Sequence, residues 1–187
     1  VLVSILIINS NISPYFLDLY NLIDSTFLFS EKAIIALTMT FVIIARQIDL
    51  SVASIIAVSS CVLGYTTSLG YDTWLVISLT LLSGALCGAF NGAIITKFAI
   101  PSIIVTIGTM SLFRGLAYSF LEDSYYNKFP KLVSNLGGGY LFGYIPYAFL
   151  TFIILAIIFA FILHKTSVGK KIYSIGNNPD AAQYTGI

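Results

Sequence analysis

Two charged side chains lie within otherwise apolar stretches of the sequence, where a charge needs a reason. Asp49 stands between two hydrophobic runs, and Arg114 lies thirteen residues after Pro101 in a third. Because a charge among apolar side chains is costly, each must cap a helix, pair with an opposite charge or face water. For Asp49 two roles remain open. It is the N-cap of the next helix, its carboxylate accepting the N–H of Ser51 or Val52, or it contacts a solute or a gate directly.

Arg114 has three open roles. Pro101 can begin a helix, because its missing N–H is not needed at that position. Thirteen residues at 1.5 Å each then place Arg114 roughly 20 Å along the helix, well past its midpoint. From there the guanidinium can snorkel to the outer headgroups, pair with a buried acid or line a wet cavity.

Patterns for catalysis and metal binding do not occur in the sequence. Residues 166–171 superficially resemble a phosphate-binding loop, but that pattern needs Gly where His164 stands and Ser or Thr where Lys171 stands. His164 is the only histidine and lies beside lysines, so neither a His-based triad nor a metal site is supported. Cys61 and Cys87 lie in apolar runs and are expected to be packing residues. We therefore expect no catalytic residue, no metal and no cofactor in this chain.

The composition indicates a membrane protein. Hydrophobic residues make up 58% of the 187 residues and charged residues only 9%, with a mean hydropathy of +0.95. A soluble domain carries about a quarter charged residues, so the surplus apolar surface must face lipid. The net charge of +1 provides no basic field for nucleic acid. The expected surroundings are a lipid bilayer, and no nucleic-acid partner is expected.

Runs without charge predict the spans. Residues 1–8 are too short to cross a bilayer and lack a basic leader region, so we interpret them as the exit half of a truncated first helix. The glycines at 137–139 and Pro146 predict a surface loop before the last span. The fold class is all-α: one polytopic transmembrane bundle over residues 1–187, with a truncated first span, a cytoplasmic segment at 165–187 and about five full spans near 27–46, 50–69, 73–96, 98–121 and 146–164.

The distribution of basic residues predicts the orientation. Cytoplasmic loops are enriched in Lys and Arg. Alternating spans place the larger basic group on one side, which we assign to the cytoplasm: Arg46, Lys97, Lys165, Lys170 and Lys171. The opposite side carries the smaller group, Lys32, Lys128 and Lys131.

Three glycines repeat at four-residue spacing in the third full-span segment, Gly84, Gly88 and Gly92. Small residues on one helical face let a neighbouring backbone approach closely, so the stripe predicts tight helix packing. Asn91 lies beside the stripe. It is either an interhelical hydrogen-bonding residue or a solute contact.

Residues near the end of the chain carry the start and stop signals of a short helix. Asn178 is suited to the N-cap, Pro179 to the first helical position, Asp180 to the first turn and Gly186 to the position after the end. About two turns are too short to be stable alone. The segment is therefore either a docking element for a partner or a helix that lies on the membrane surface.

Four segments, in this order and spacing, resemble the permease family of bacterial ABC importers for ribose, rhamnose, related monosaccharides and autoinducer-2. They are residues 48–54, 84–92, 100–101 with 105–109 and 114–115, and 176–182 with 186–187. Two departures are Ala53, where many members have Gly, and Arg46 with Gln47, where a pair of glycines is common. Members of this family are longer, so the chain is expected to be their N-terminal half.

The resemblance implies that several subunits share the transport function. A second permease subunit, identical or related, completes the pathway, cytoplasmic ATP-binding subunits dock on the short coupling helix, and an extracytoplasmic binding protein delivers the sugar. ATP hydrolysis is then expected on a separate subunit and not on this chain. The candidate pathway residues are Asp49, Ser51, Ser54, Asn91, Thr106 and Arg114. The candidate ATPase-docking residues are Gly176, Asn178, Pro179, Asp180, Ala181, Ala182 and Gly186.

The predicted function is therefore a permease subunit in a bacterial cell membrane. The alternative is an ion-coupled secondary transporter or a channel, which typically carries acidic residues or broken helices near the midplane. Only Asp49 and Arg114 are candidates for such positions. A membrane-embedded enzyme would need a nucleophile with a base, or a metal set, within the spans.

Overall fold

The computed structural model describes residues 1–121 and 125–186. Residues 122–124 and Ile187 lie outside the described residues. Ile187 is the last residue of the fourth segment that resembles the permease family. Helices dominate, in the order α1 Leu2–Ile12, α2 Leu19–Ile44, α3 Val52–Ser68, α4 Thr73–Phe98, α5 Ser102–Leu121, α6 Lys131–Gly138, β1 Tyr140–Leu141, β2 Ile145–Pro146, α7 Tyr147–Lys165, α8 Ser167–Asn177 and α9 Pro179–Tyr184.

The predicted all-α polytopic class is confirmed. Four of the described helices, α2, α4, α5 and α7, are long and apolar enough to cross a membrane. Helix α3 is apolar as well but has 17 residues, just below the usual length of a span. The predicted helical segment at residues 1–8 lies in α1, which has 11 residues.

Two segments predicted as loops contain regular structure. The stretch with the glycines at 137–139 and Pro146, expected as a surface loop, contains the end of α6 and an antiparallel β1–β2 hairpin in which Tyr140 pairs with Pro146. The hairpin turns through Phe142 and Gly143, whose φ values of 53° and 77° give the left-handed backbone that tight hairpins need. Residues 167–177, expected as part of a cytoplasmic loop, form α8.

The chain divides into two compact units. The first comprises Val1–Thr40 and Ser134–Ile172, and the second comprises Phe41–Val133 and Tyr173–Ile187. In the first unit the Tyr140 ring stacks on Phe27 with centroids 6.3 Å apart, and the Tyr140 hydroxyl donates to Asp24 Oδ1 at 3.3 Å. Phe29 and Phe152 make an edge contact at 6.1 Å. Aromatic contacts therefore fasten the hairpin and α7 to the first part of α2.

The second unit is built on α3, which packs against both α4 and α5. Its buried core consists of Val58, Cys61, Phe113 and Ala117. Ile55, Ala57, Cys87 and Leu121 pack against this core. Both cysteines are free thiols, in keeping with the predicted packing role.

Of the three glycines in the predicted stripe, one packs against this chain. A Cβ on Gly84 would lie 3.2 Å from Ser59 Oγ on α3, whereas one on Gly88 or Gly92 would meet no described atom within 4 Å. The predicted packing therefore holds within this chain for Gly84 only. Four-residue spacing advances about 400° around a helix, so each step turns roughly 40° away from the preceding contact.

Candidate functional site at the start of α3

A short segment between α2 and α3 carries the carboxylate of Asp49. Its Oδ1 accepts the backbone N–H of Ser51 at 2.8 Å and the Ser51 hydroxyl at 2.6 Å. The predicted bond to the Ser51 N–H is present, but the predicted N-cap assignment of Asp49 is wrong. The N-cap is Ser51, whose carbonyl accepts the N–H groups of Ser54 and Ile55 at 2.9 Å each. Asp49 lies two residues earlier and fixes the cap residue instead of the helix itself.

Helix α4 joins this arrangement through Asn91. The Asn91 Nδ2 donates to Ser51 Oγ at 2.8 Å across forty residues of sequence. Because the Ser51 hydroxyl gives its proton to Asp49, it must accept from Asn91, which requires the amide nitrogen to face it. Ser51 is fully buried and Asn91 is 4% exposed. Among the described residues, the Asn91 Oδ1 is buried without a hydrogen-bond partner.

Helix α5 holds the residue before Asp49. Ser102 Oγ accepts the backbone N–H of Ile48 at 3.1 Å, and Thr106 Oγ1 donates to the Ile48 carbonyl at 3.3 Å. Ser102 is 8% exposed and Thr106 is 1% exposed. Side chains one turn apart on α5 therefore satisfy both backbone groups of one residue in the segment. We refer to Asp49, Ser51, Asn91, Ser102 and Thr106 as the polar cluster.

The structure brings together five of the six predicted pathway residues and separates the sixth. Asp49, Ser51, Ser54, Asn91 and Thr106 lie around the start of α3, and all except the half-buried Asp49 are buried. Ser54 donates to the Ser51 carbonyl at 2.7 Å. Each of these five side chains makes at least one hydrogen bond within the chain. Arg114 lies elsewhere on α5, with an exposed side chain.

The punctuation predicted for the short helix is confirmed in α9. Asn178 is the N-cap and its side chain accepts the Ala181 N–H at 3.1 Å, Pro179 begins the helix, and Gly186 has a φ of 80° just past the end. Asp180 lies in the first turn. Local sequence signals were sufficient here because each bond spans no more than four residues.

The faces of α9 differ from the sequence prediction in one respect. Ala182, predicted as a small residue on a docking surface, is 4% exposed and packs inside the chain. Tyr184, which is not among the sequence candidates, is 92% exposed. Asp180 and Ala181 are exposed as well. Every residue of α9 except Ala182 is therefore exposed, and Asp180, Ala181 and Tyr184 are among the residues on its free surface.

Gly176, the first of the predicted docking residues, serves a contact inside the chain. It lies at the end of α8, and a Cβ there would overlap the backbone carbonyl of Ile44 at the end of α2. Two backbones therefore meet without an intervening side chain. A bulkier residue at 176 would separate them.

Some contributing residues give only weak sequence signals. Ser102 follows a helix-starting proline, but nothing local shows that its hydroxyl serves a residue 54 positions away. Asp72 caps α4 by accepting the Trp74 N–H at 3.0 Å, a local pattern that the sequence does display.

Across residues 1–121 and 125–186, no group of three or more His, Cys, Asp or Glu side chains is placed to hold a metal ion.

Comparisons with known proteins place these features in context. Residues 21–187 match the family model described as branched-chain amino acid transport system / permease component. The chain is 34% identical to the ribose import permease protein RbsC of Haemophilus influenzae over 193 aligned positions, covering 100% of this chain and 58% of the relative. It is 36% identical to RbsC of Bacillus subtilis, covering 98% and 57%.

A third relative carries a different solute name. The chain is 34% identical to the autoinducer 2 import system permease protein LsrD of Klebsiella pneumoniae, covering 94% of this chain and 54% of the relative. The chain thus spans somewhat more than half the length of these relatives. No solved structure matches significantly.

Proposed function

The chain belongs to the branched-chain amino acid transport system / permease component family, and we propose that it is a permease subunit of an ATP-driven importer for a monosaccharide or a related small polar solute. The observation that carries this proposal is similarity over nearly the whole chain to two ribose import permeases and an autoinducer 2 import permease. These relatives favour a sugar-like solute over an amino acid. They also favour an importer over an ion-coupled transporter or a channel.

The proposed orientation places the polar cluster near the cytoplasm. Arg46 and Lys97 each lie a few residues before one of the residues joined by the Ile48 to Ser102 bond, so they lie at the same end of the second unit. Gly176 meets Ile44 at this end too. Basic residues collected at one end support the cytoplasmic assignment.

Cysteine labelling tests the orientation. Single cysteines at Lys97 and Lys170 should be protected from an impermeant thiol reagent in intact cells, and those at Asp72 and Lys128 should react. Labelling of position 170 from outside would contradict the orientation.

The proposed partners follow from the importer function. The powering subunit is a separate cytoplasmic ATPase that docks on the exposed face of α9, Asp180, Ala181 and Tyr184. A second permease chain completes the pathway, and an extracytoplasmic binding protein presents the solute. The chain's own contribution is to contain the pathway and to receive the motion, which a capped helix can transmit as a rigid element.

A matched pair of substitutions on α9 tests the docking role. Ala181→Glu and Tyr184→Ala alter exposed positions, so the permease should keep its melting temperature but recruit less ATPase and import less solute. Loss of a contact at the centre of an interface costs on the order of 2 kcal/mol or more, which is above tenfold in affinity. Ala182→Glu instead places a charge at a buried position and should lower the melting temperature.

The measurement is ATPase recruitment and solute uptake by the full-length permease in reconstituted vesicles. If Ala181→Glu and Tyr184→Ala both leave recruitment and uptake unchanged, α9 is a membrane-surface helix without a partner.

A further inference from the structure

Residues 45–50, here called the linker, join α2 to α3 and are held at three points. At the start, Gly176 lies against the carbonyl of Ile44, the residue before the linker, and a Cβ at Gly176 would lie 3.5 Å from the Ala45 Cα. In the middle, Ser102 and Thr106 bind the backbone of Ile48. All these residues belong to the second compact unit. The linker therefore contacts helix α5, and at its start it adjoins the end of α8, which leads into α9.

The third point connects the linker to α4. Asp49 binds Ser51, and Ser51 accepts from Asn91 at 2.8 Å. A displacement of the linker must thus change either these bonds or the positions of α3 and α4.

We propose that the linker carries movement of α9 to α4 and α5, and that Ser102 and Thr106 are the positioning residues that hold it in register. The inference rests on the proposed function, because the movement comes from the ATPase at α9. Neither residue contacts the solute in this role. Each acts through Ile48.

The first supporting observation is that the contact between Gly176 and Ile44 and the end of α2 are tightly packed and hydrogen-bonded. Gly176 and Ile44 meet backbone to backbone, so no flexible side chain absorbs a displacement. Helix α2 then ends in two closing bonds, from the Arg46 N–H to the Ile43 carbonyl at 2.9 Å and from the Gln47 N–H to the Val42 carbonyl at 3.0 Å. These bonds fix the backbone up to the residue before Ile48.

The second observation is that the bonds at the α4 and α5 end of the connection are weak or incomplete. The Thr106 hydroxyl lies 3.3 Å from the Ile48 carbonyl and 3.4 Å from the Ile103 carbonyl, so its bond to the linker is long and shared. The buried Asn91 Oδ1 has no partner among the described residues. A buried acceptor without a donor is unfavourable, so a rearrangement in which Oδ1 gains a donor would be stabilising. Packed elements with two discrete arrangements are what transmit motion.

Three substitutions on α5 test the proposal in the full-length permease, reconstituted with its ATPase and binding protein. Thr106→Val and Ser102→Ala remove the two bonds to Ile48. Thr109→Val is the matched control, because Thr109 is also buried on α5 but donates only within its own helix, to the Thr106 carbonyl at 3.4 Å.

The readout is the ratio of ATP hydrolysed to solute imported. Thr106→Val and Ser102→Ala should each raise this ratio about threefold, the factor that one membrane hydrogen bond of average strength represents. ATPase recruitment should stay at its wild-type value, whereas the melting temperature should fall, because each variant leaves one backbone group of Ile48 without its bond to α5. Thr109→Val should leave the ratio unchanged.

Hydrogen exchange in the unaltered complex provides a measurement that does not depend on the variants folding. Amides of residues 45–50 should exchange faster with a bound ATP analogue than without nucleotide. Unchanged exchange, or equal ratios for Thr106→Val and Thr109→Val, would overturn the inference while ATP-driven uptake by the wild type persists. A shared loss of ATPase recruitment in both linker variants would also overturn it, since the residues would then support the dock. Absence of ATP-driven uptake by the wild type would overturn the proposed function and this inference together.

Discussion

The backbone of Gly176 lies directly against the carbonyl oxygen of Ile44, with no room for a side chain between them. The contact joins the ends of α8 and α2, and α9 begins three residues after Gly176. It therefore determines where the exposed face of α9 is presented.

Gly176→Ala should destabilise the protein, because the added methyl group overlaps a backbone atom that cannot rotate away. Overpacking of this kind costs about 1–3 kcal/mol, and the melting temperature in detergent should fall. Gly92→Ala is the control, because a Cβ there meets nothing within 4 Å of the described chain. Equal melting temperatures for the two variants would show that the Gly176 contact relaxes without cost.

Gly64→Ala should be destabilising for a different reason. A Cβ at Gly64 would lie 2.5 Å from two ring carbons of Tyr126, so the ring must leave its position against α3. We expect a loss of about 1–3 kcal/mol. In a Tyr126→Ala background the same glycine substitution should cost much less, because the opposing ring is gone. A double-mutant cycle by thermal unfolding measures this difference, and additive costs would argue against the contact.

Arg46→Gly should stabilise the protein. Arg46 has a φ of 56° at the left-handed position that closes α2, where a side chain is disfavoured and glycine is not. Removing that penalty is worth roughly 1 kcal/mol. Lys97→Gly is the control. Lys97 lies in the last turn of α4, so glycine there should cost up to about 1 kcal/mol. A fall in melting temperature for Arg46→Gly would show that its side chain makes a contact that outweighs the strain.

Asn91→Leu and Ser51→Ala remove the same hydrogen bond of the polar cluster, but Ser51→Ala should destabilise the protein more. Asn91→Leu removes a buried acceptor that has no partner, and Ser51 keeps its bond to Asp49, so the net cost should be below about 1 kcal/mol. Ser51→Ala leaves the Asn91 amide without its acceptor and should cost about 1–3 kcal/mol. Chemical or thermal unfolding in detergent measures both. A larger loss for Asn91→Leu would contradict the assignment of the orphaned oxygen.

Tyr140 should make stability depend on pH in the alkaline range. Burial, followed by the charge of Asp24 and the hydrogen bond to it, raises the pKa of the Tyr140 phenol. A raised folded-state pKa means that the contribution to stability is complete below the ordinary value near 10 and is lost as the pH rises through the raised value. Between the ordinary value near 10 and the raised pKa, the melting temperature of the wild type should therefore fall more steeply with pH than that of Tyr140→Phe. Parallel pH profiles would contradict the prediction.

Features that depend on short stretches of chain could be predicted from the residues alone. A charge-free run predicted a span at 73–96, and α4 covers Thr73–Phe98. Asn178, Pro179 and Gly186 predicted both ends of α9, because caps are bonds between residues close in sequence. The family resemblance belongs to this category too, since it depends on the types and spacing of residues and not on their contacts.

Contacts between residues far apart in the sequence depend on how the helices pack. Nothing local indicated that Asn91 would bind Ser51, that Ser102 would serve Ile48, or that Ala182 would point inward while Tyr184 points outward. In a soluble helix, the polar side marks the face that is exposed to solvent. In a membrane helix such as α4, the lipid-facing and protein-facing sides are both apolar, so hydrophobic periodicity does not reveal the rotation of the helix. That rotation, set by packing against α3 and α5, decides whether a polar side chain is buried in a cluster or faces lipid.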